Sequence, residues 1–206
     1  KVKINPEADY QYLKAVRNAF PQLMLMADAN SAYQLKDADR LKKLDELGLL
    51  MIEQPLESDD LLHHARLQQQ LTTPICLDES INSLADAQAM YQLGSGRIIN
   101  IKVSKVGGLT IAKEIQAFAQ SHHIDCWCGG MLGSGVARAA DIAAASLPGY
   151  TLPNDISASQ RYFAHDIIKP LISLNNGRLK VPISPGLGFN LDWDTIHRYT
   201  IEENKL

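Results

Sequence analysis

Leu49-Leu50-Met51-Ile52-Glu53-Gln54-Pro55 is an apolar run that ends in a carboxylate and is closed by a proline. A run this short reads as a buried strand. A carboxylate at its end cannot stay ionised in apolar surroundings without a counter-ion, so Glu53 needs a cation. The same arrangement recurs on either side. Asp28 closes Leu23-Met24-Leu25-Met26-Ala27, 25 residues earlier, and Asp78 closes Pro74-Ile75-Cys76-Leu77, 25 residues later. Lys3, in Val2-Lys3-Ile4, precedes Asp28 by 25 residues, and Lys102, in Ile98-Ile99-Asn100-Ile101-Lys102-Val103, follows Asp78 by 24. A strand of about five residues, a helix of about twelve and two short loops fill such an interval. Five charges, in the order Lys, Asp, Glu, Asp, Lys, therefore fall at equivalent places in five successive strand-helix units.

The intervening segments read as helices. Asn5-Pro6-Glu7 is a helix start, with Asn5 as cap, Pro6 in the first turn, and Leu13, Val16 and Phe20 as the buried face. Ala38, Leu41 and Leu44 mark a second helix that Gly48 stops, and a third runs from about Ser58 to Leu71. Leu84, Ala87 and Tyr91 lie on a fourth that ends at Gly94; Ile111, Ile115 and Phe118 lie on a fifth, after Gly107-Gly108. A sixth unit starts at Ile124-Asp125-Cys126-Trp127-Cys128, breaks at Gly129-Gly130 and continues in an Ala-rich helix from about Ser134 to Ser146. A short seventh strand is expected near Tyr150-Thr151-Leu152. Then Leu171 to Leu174 and Leu179 to Val181 read as a hairpin on Asn175-Asn176-Gly177, and Trp193 to Tyr199 as a last short helix. Helices that separate short apolar runs indicate a parallel sheet with helices outside it. Residues 1–170 are expected to form the portion that carries the five charges, and 171–206 a hairpin and short helix that pack on it or on a segment preceding it.

Seven such units suit most of a TIM-type (β/α) barrel, for which about 250 residues is usual. An open doubly wound sheet is the alternative. It would hold the first-strand and fifth-strand lysines roughly 20 Å apart, whereas a barrel lets them face one another.

With 206 residues, 46% of them hydrophobic, the chain can bury one sizeable core. A net charge of −3 without a basic cluster disfavours nucleic acid. No apolar stretch approaches a membrane span, and the N-terminal residues do not read as a signal peptide. The odd number of cysteines, Cys76, Cys126 and Cys128, indicates reduced thiols and a cytoplasmic setting.

In a parallel barrel, residues at the C-terminal strand ends share one mouth. Asp28, Glu53 and Asp78 would give three hard oxygen donors there, which suits Mg²⁺ or Mn²⁺ better than zinc. Lys3 and Lys102 would flank the ion, and a neighbouring cation should lower an ammonium pKa until it can act as a base. Metal plus lysine base fits removal of a proton α to a carboxylate, so the expected partner is a small-molecule carboxylate. The blander readings are that a lone acid at a strand end is a cap and that Lys1 is the solvated end of an edge strand. Glu79 points away from Asp78 in a strand and reads as a supporting partner or cap. His63-His64 and His122-His123 read as surface residues, and Cys126 and Cys128 as buried thiols. The glycines beside Met131 could bind a phosphate or simply let backbone approach a ligand.

With those residues in hand, the chain resembles the catalytic part of an enolase-superfamily enzyme of the muconate-lactonizing subgroup, near the o-succinylbenzoate synthases and N-acylamino acid racemases. The matching motifs are Lys1-Val2-Lys3, Asp28-Ala29-Asn30, Glu53-Gln54-Pro55, Asp78-Glu79-Ser80, Asn100-Ile101-Lys102 with Val106-Gly107-Gly108, Gly129-Gly130-Met131, and Asp155 to Ser159 with Arg161-Tyr162. The resemblance implies Asp28, Glu53 and Asp78 as Mg²⁺ ligands and Lys3 and Lys102 as the acid/base pair. It implies substrate contacts at Lys1, Asn30, Gly130, Met131 and Ser157, and a homo-oligomer in the full-length form. In a synthase, Lys3 would abstract the proton and assist loss of the hydroxyl while Lys102 stabilises the enediolate; in a racemase, the two would work on opposite faces. Two departures stand out. Gly133 occupies a position where the family has an acid, and the first barrel strand and N-terminal capping domain do not precede Lys1. The chain is therefore expected to be a fragment; the alternative to an active one is a barrel piece that stays inert without the missing part. Leu152-Pro153-Asn154-Asp155 lacks the paired D-x-D expected of a dipeptide epimerase.

Overall fold

The computed structural model describes residues 1–203. In it, the alternation of apolar run and helix becomes a six-stranded parallel sheet with strands in chain order. The strands are β1 (Val2–Lys3), β2 (Ala27–Asp28), β3 (Ile52–Glu53), β4 (Ile75–Leu77), β5 (Ile98–Ile101) and β6 (Asp125–Cys128). The helices are α1 (Tyr10–Ala19), α2 (Ala38–Lys42), α3 (Leu61–Gln68), α4 (Leu84–Leu93), α5 (Leu109–Ser121) and α6 (Gly135–Ala145). A two-stranded antiparallel sheet, β7 (Ile168–Lys169) with β8 (Asn190–Leu191), and α7 (Trp193–Tyr199) follow.

Register explains why the charges share a face. Lys3 pairs with Asp28 and Asp28 with Glu53, so these three stand in one row. Glu53 pairs with Cys76, and Asp78 lies two residues further along the same face. Cys76 pairs with Ile98, which brings Asn100 and Lys102 to that face as well. Asn100 in turn pairs with Trp127. Beneath the polar row, Met51, Cys76, Ile98 and Trp127 form a buried apolar floor against which Met26 and Leu152 pack. The alternate residues, among them Ala27, Ile52, Ile75, Leu77, Ile99, Ile101, Cys126 and Cys128, face the helices and meet Leu13, Leu41, Leu67, Ala87 and Ile115. Both faces of the central strands are covered, which is why those strands read as continuous apolar runs.

The sheet is rolled. Lys1 Nζ, at the head of β1, lies 4.6 Å from the Trp127 ring on β6. In a flat sheet those strands would stand about 24 Å apart. All three cysteines are free and buried. Among the described residues, no helix is long and apolar enough to cross a membrane.

Several local expectations are corrected. Asn5 caps only a turn, through Glu7 N–H (2.9 Å); α1 starts at Tyr10 with Asp9 as its cap, and Phe20 beyond its end is exposed. The third helix is shorter than 58–71 because Asp60, not Ser58, caps it by accepting the His63 N–H. Tyr91 is half exposed on α4 and packs edge-on to the rings of Phe118 and His122. His64 is fully buried, not superficial: its Nδ1 lies 2.8 Å from the Asp60 carbonyl, and its Nε2 accepts the Leu56 N–H (3.2 Å). The expected seventh strand is reduced to one parallel bridge, Tyr150 with Cys126, because Pro153 soon interrupts it. The expected hairpin is likewise one bridge, Asn175 with Arg178, around a turn in which Asn176 and Gly177 both have positive φ. Ile168 and Lys169 find their partners in β8 instead. Residues 204–206 of the expected C-terminal unit lie outside the described residues.

A second polar centre ties α6 to the segment after it. Arg138, 2% exposed, bonds Asp166 through Nη2 (2.7 Å). Asp166 also accepts from Gly135 N–H (2.7 Å), Ser159 Oγ (2.6 Å) and Ile167 N–H (2.8 Å).

Candidate active site

The C-terminal ends of β1 to β5 gather the lysines and carboxylates singled out in the sequence. Lys3 Nζ donates to Asp28 Oδ2 (2.7 Å) and to Asn30 Oδ1. Lys1 Nζ stands 2.8 Å from Glu53 Oε2 and 3.3 Å from Asp28 Oδ2. Across the row, Lys102 Nζ donates to Asp78 Oδ2 (2.6 Å). Asp28, Glu53 and Asp78 are almost wholly buried, whereas the Lys3 side chain is 66% exposed, so the acids form the base of the site and Lys3 reaches over it from the solvent side.

Burial is the first influence on each of the groups that shifts. It would raise the Asp28 carboxyl, but the Lys3 and Lys1 ammonium groups outweigh it and hold that carboxyl below its ordinary range. For Glu53, burial and the nearby Asp28 charge win over Lys1 and Asn100, and its carboxyl is pushed up to about 7. Burial would lower the Lys102 ammonium, yet its bond to Asp78 and the attraction of that carboxylate raise it. Without an ion, the charges that Lys102 meets are carboxylates, and they favour its ammonium form; the lowering expected from the sequence is an effect of a bound divalent ion.

The carboxylates do not converge as a closed metal cage. Among the described residues, no group of three His, Cys, Asp or Glu side chains is arranged to hold a metal ion. Their oxygens turn instead to Lys1, Lys3, Lys102 and Lys105. The donor set still fits a hard divalent cation: three buried carboxylates at the ends of adjacent strands, with Glu53 Oε2 met by the Lys1 ammonium (2.8 Å), a charge that a bound cation could replace.

The other expected contacts divide. Asn30 joins the site, accepting from Lys3 and donating to Glu79 Oε1 (2.9 Å), so Glu79 supports it as expected. Gly130 sits against the Asp155 carbonyl with no room for a Cβ. Met131 is exposed, and Ser157 donates to Tyr162 Oη (3.4 Å). Two contributors escaped sequence reasoning. Lys105 bonds both the Asp78 carbonyl and Asp78 Oδ1 (2.8 Å for the latter); its one signal is its place a turn after Lys102. Asn100 was legible as part of a motif but not as the donor to Glu53 Oε1 (2.7 Å). Gly129 makes room for it, since a Cβ there would strike the Asn100 amide.

Over residues 1–195 the chain matches the family described as enolase C-terminal domain-like. It is 52% identical over 199 residues to an o-succinylbenzoate synthase of Bacillus subtilis (strain 168), covering 97% of this chain and 54% of that protein. It is 47% identical over 201 residues to an N-succinylamino acid racemase of Thermus thermophilus, covering 98% and 54%. A crystal structure of an enolase-superfamily member from Listeria innocua superposes with a TM-score of 0.94 at 49% identity, over 97% of this chain and 54% of the other. The chain thus spans about half the length of the relatives it matches. With the ordered parallel strands and the charged row at their ends, these matches establish that the chain belongs to the enolase C-terminal domain-like family.

Proposed function

We propose that this chain is the catalytic portion of an o-succinylbenzoate synthase, a lyase that removes a proton α to a carboxylate and expels a hydroxyl group. The observation that carries the reading is that two lysines, Lys3 on β1 and Lys102 beyond β5, flank a buried row of three acids. The similarity to the Bacillus subtilis synthase supports it. The rolled six-stranded sheet is read as most of a (β/α) barrel whose remaining strands lie outside the described elements. Asp28, Glu53 and Asp78 are the residues that would hold Mg²⁺, with Mn²⁺ as a substitute. When bound, the ion supplies positive charge that stabilises the electron-rich carboxylate produced by proton removal.

The chain's own residues do the rest. Lys3, in its neutral form, takes the α-proton at Nζ and returns it to the departing hydroxyl, which leaves as water. Lys102, as an ammonium, donates toward the oxygens that gain charge. Lys1 spans Glu53 and Asp28 over the Trp127 ring; in this reading it orients the acids and would meet the substrate carboxylate. The second reading, N-succinylamino acid racemase, is favoured by the same opposed lysines and by the Thermus thermophilus relative. There, one lysine would remove the proton and the other return it on the opposite face.

Incubation with N-succinyl-methionine and with the synthase's cyclohexadiene substrate in ²H₂O with Mg²⁺ tests the reading. Dehydration of the second substrate is the expected result. Deuterium at the α-carbon without dehydration would favour the racemase, and neither reaction would mean that this chain carries no such chemistry by itself.

Glu53 makes Mg²⁺ binding pH-dependent. The ion takes an ionised carboxylate, and this carboxyl is pushed up to about 7. Affinity is therefore expected to rise with pH through neutrality and level off above it, with proton release on binding below that point. Calorimetry in buffers of different ionisation enthalpy measures this, and an affinity unchanged between about pH 6 and 8 would contradict it. Stability without the ion runs the other way. A carboxyl raised from its ordinary 4.5 binds its proton more tightly in the folded state, so its support of folding is full below 4.5 and lost as pH rises through about 7.

A further inference from the structure

Gln54 follows Glu53 directly and is fully buried. Its side-chain amide uses both donors and accepts two bonds. Nε2 donates to Ser80 Oγ (2.7 Å) and to the Leu56 carbonyl (3.1 Å). Oε1 accepts the N–H groups of Asp78 (3.0 Å) and Ser80 (3.2 Å). Its backbone N–H donates to the Cys76 carbonyl (2.8 Å), and its carbonyl accepts the Ser31 N–H (2.8 Å). The residue reaches all this from a φ of +38°, a region that side chains other than glycine enter at a cost.

The strain has a geometric reason. Up to Glu53 the chain is in the sheet ladder, where Ala29 N–H finds the Glu53 carbonyl. At Gln54 it turns out of the ladder toward Pro55, so the N–H groups at the end of β4 need another acceptor. The Gln54 amide provides it, and it does so at Asp78 itself. One side chain thus links the end of the Glu53 strand to the backbone on both sides of Glu79.

We propose that Gln54 is a positioning residue that sets the separation and tilt of the Glu53 and Asp78 carboxylates, and through them the affinity for the divalent ion. This rests on the reading of those acids as ion ligands. Gln68 provides an internal comparison. It is also buried and also bonds the β3–β4 region, through Ile75 N–H (2.7 Å) and the carbonyls of Thr73 (3.2 Å) and Leu71 (3.4 Å). It does so at the opposite end of β4, away from the acids. A merely structural role would make the two glutamines equivalent.

The experiment compares the full chain with Gln54→Met and Gln68→Met, measuring thermal stability, Mg²⁺ affinity by calorimetry, and amide hydrogen exchange without metal. Both variants are expected to melt earlier. Only Gln54→Met is expected to speed exchange at Asp78 and Ser80 and to weaken Mg²⁺ binding by about 10- to 100-fold. Ser80→Ala, which removes one arm of the clamp, is expected to show the same two changes in smaller measure and stands in if Gln54→Met does not fold. Mg²⁺ affinity within about twofold of the parent in a folded variant, or unchanged exchange at Asp78 and Ser80, would overturn the proposal. A parent chain that binds no Mg²⁺ would instead refute the ion-ligand reading and with it the effect on affinity. Unchanged exchange would show that the clamp itself is not there.

Discussion

Lys3→Ala is expected to lower turnover by roughly 10²–10⁴-fold, the usual contribution of a positioned acid or base. Lys3 reaches over the acids from the solvent side and bonds Asp28 Oδ2 and Asn30, so its removal takes away the proton acceptor without opening the core. Asp28 keeps a cation, because Lys1 Nζ remains 3.3 Å from the same oxygen. Mg²⁺ affinity should accordingly persist or strengthen slightly, as one competing ammonium is gone. Single-turnover kinetics and Mg²⁺ calorimetry on the same protein separate the two effects. Undiminished turnover would exclude Lys3 as the base; turnover lost together with Mg²⁺ binding would give it a structural role instead.

Asp166→Ala is expected to destabilise the chain by about 3–5 kcal/mol, because it strands a buried guanidinium. That is a large part of the roughly 5–15 kcal/mol typical of a folded domain. Asp166 gathers Arg138, Ser159 and the N–H groups of Gly135 and Ile167, and Arg138, Ser159 and Gly135 are all buried. Arg138 Nε is already buried without a partner, so its ion pair with Asp166 carries most of its compensation. Gly135 adds a steric condition, since a Cβ there would collide with Ile168 and with Asp166. Urea unfolding of Asp166→Ala and of the double variant Arg138→Met/Asp166→Leu makes the comparison. The double variant should lose less, as it leaves no charge unpaired. A loss below about 1 kcal/mol for Asp166→Ala would show that water reaches the guanidinium.

Much of the site was legible because its charges sit at near-constant intervals and because a carboxylate ending an apolar run demands a partner. Asp28, Glu53, Asp78, Lys3 and Lys102 follow from those two facts, and the register places them on one face. What escaped were contacts whose partners lie far apart in sequence. Gln54 to Ser80 and Asn100 to Glu53 carry no local pattern, and only the rolled sheet brings them together. His64 was misplaced for a similar reason. A histidine pair on a helix resembles a solvated face until the Leu56 N–H and the Asp60 carbonyl are found at its two ring nitrogens. The segments after Cys128 were least legible, because they bond to loops rather than to a repeated ladder. Tyr150 meets β6 at one bridge, and β7 pairs with β8 across the intervening turn segment.

The ammonium of Lys1 resting on the Trp127 ring while it holds Glu53 gives the molecule an optical gauge of its own interior. Anything that draws Glu53 away from Lys1 changes the electric field on a buried indole. The second tryptophan, Trp193, is 58% exposed and so emits from a watery setting that can be quenched separately. The colour of the protected emission therefore reads the state of a carboxylate, with no label attached.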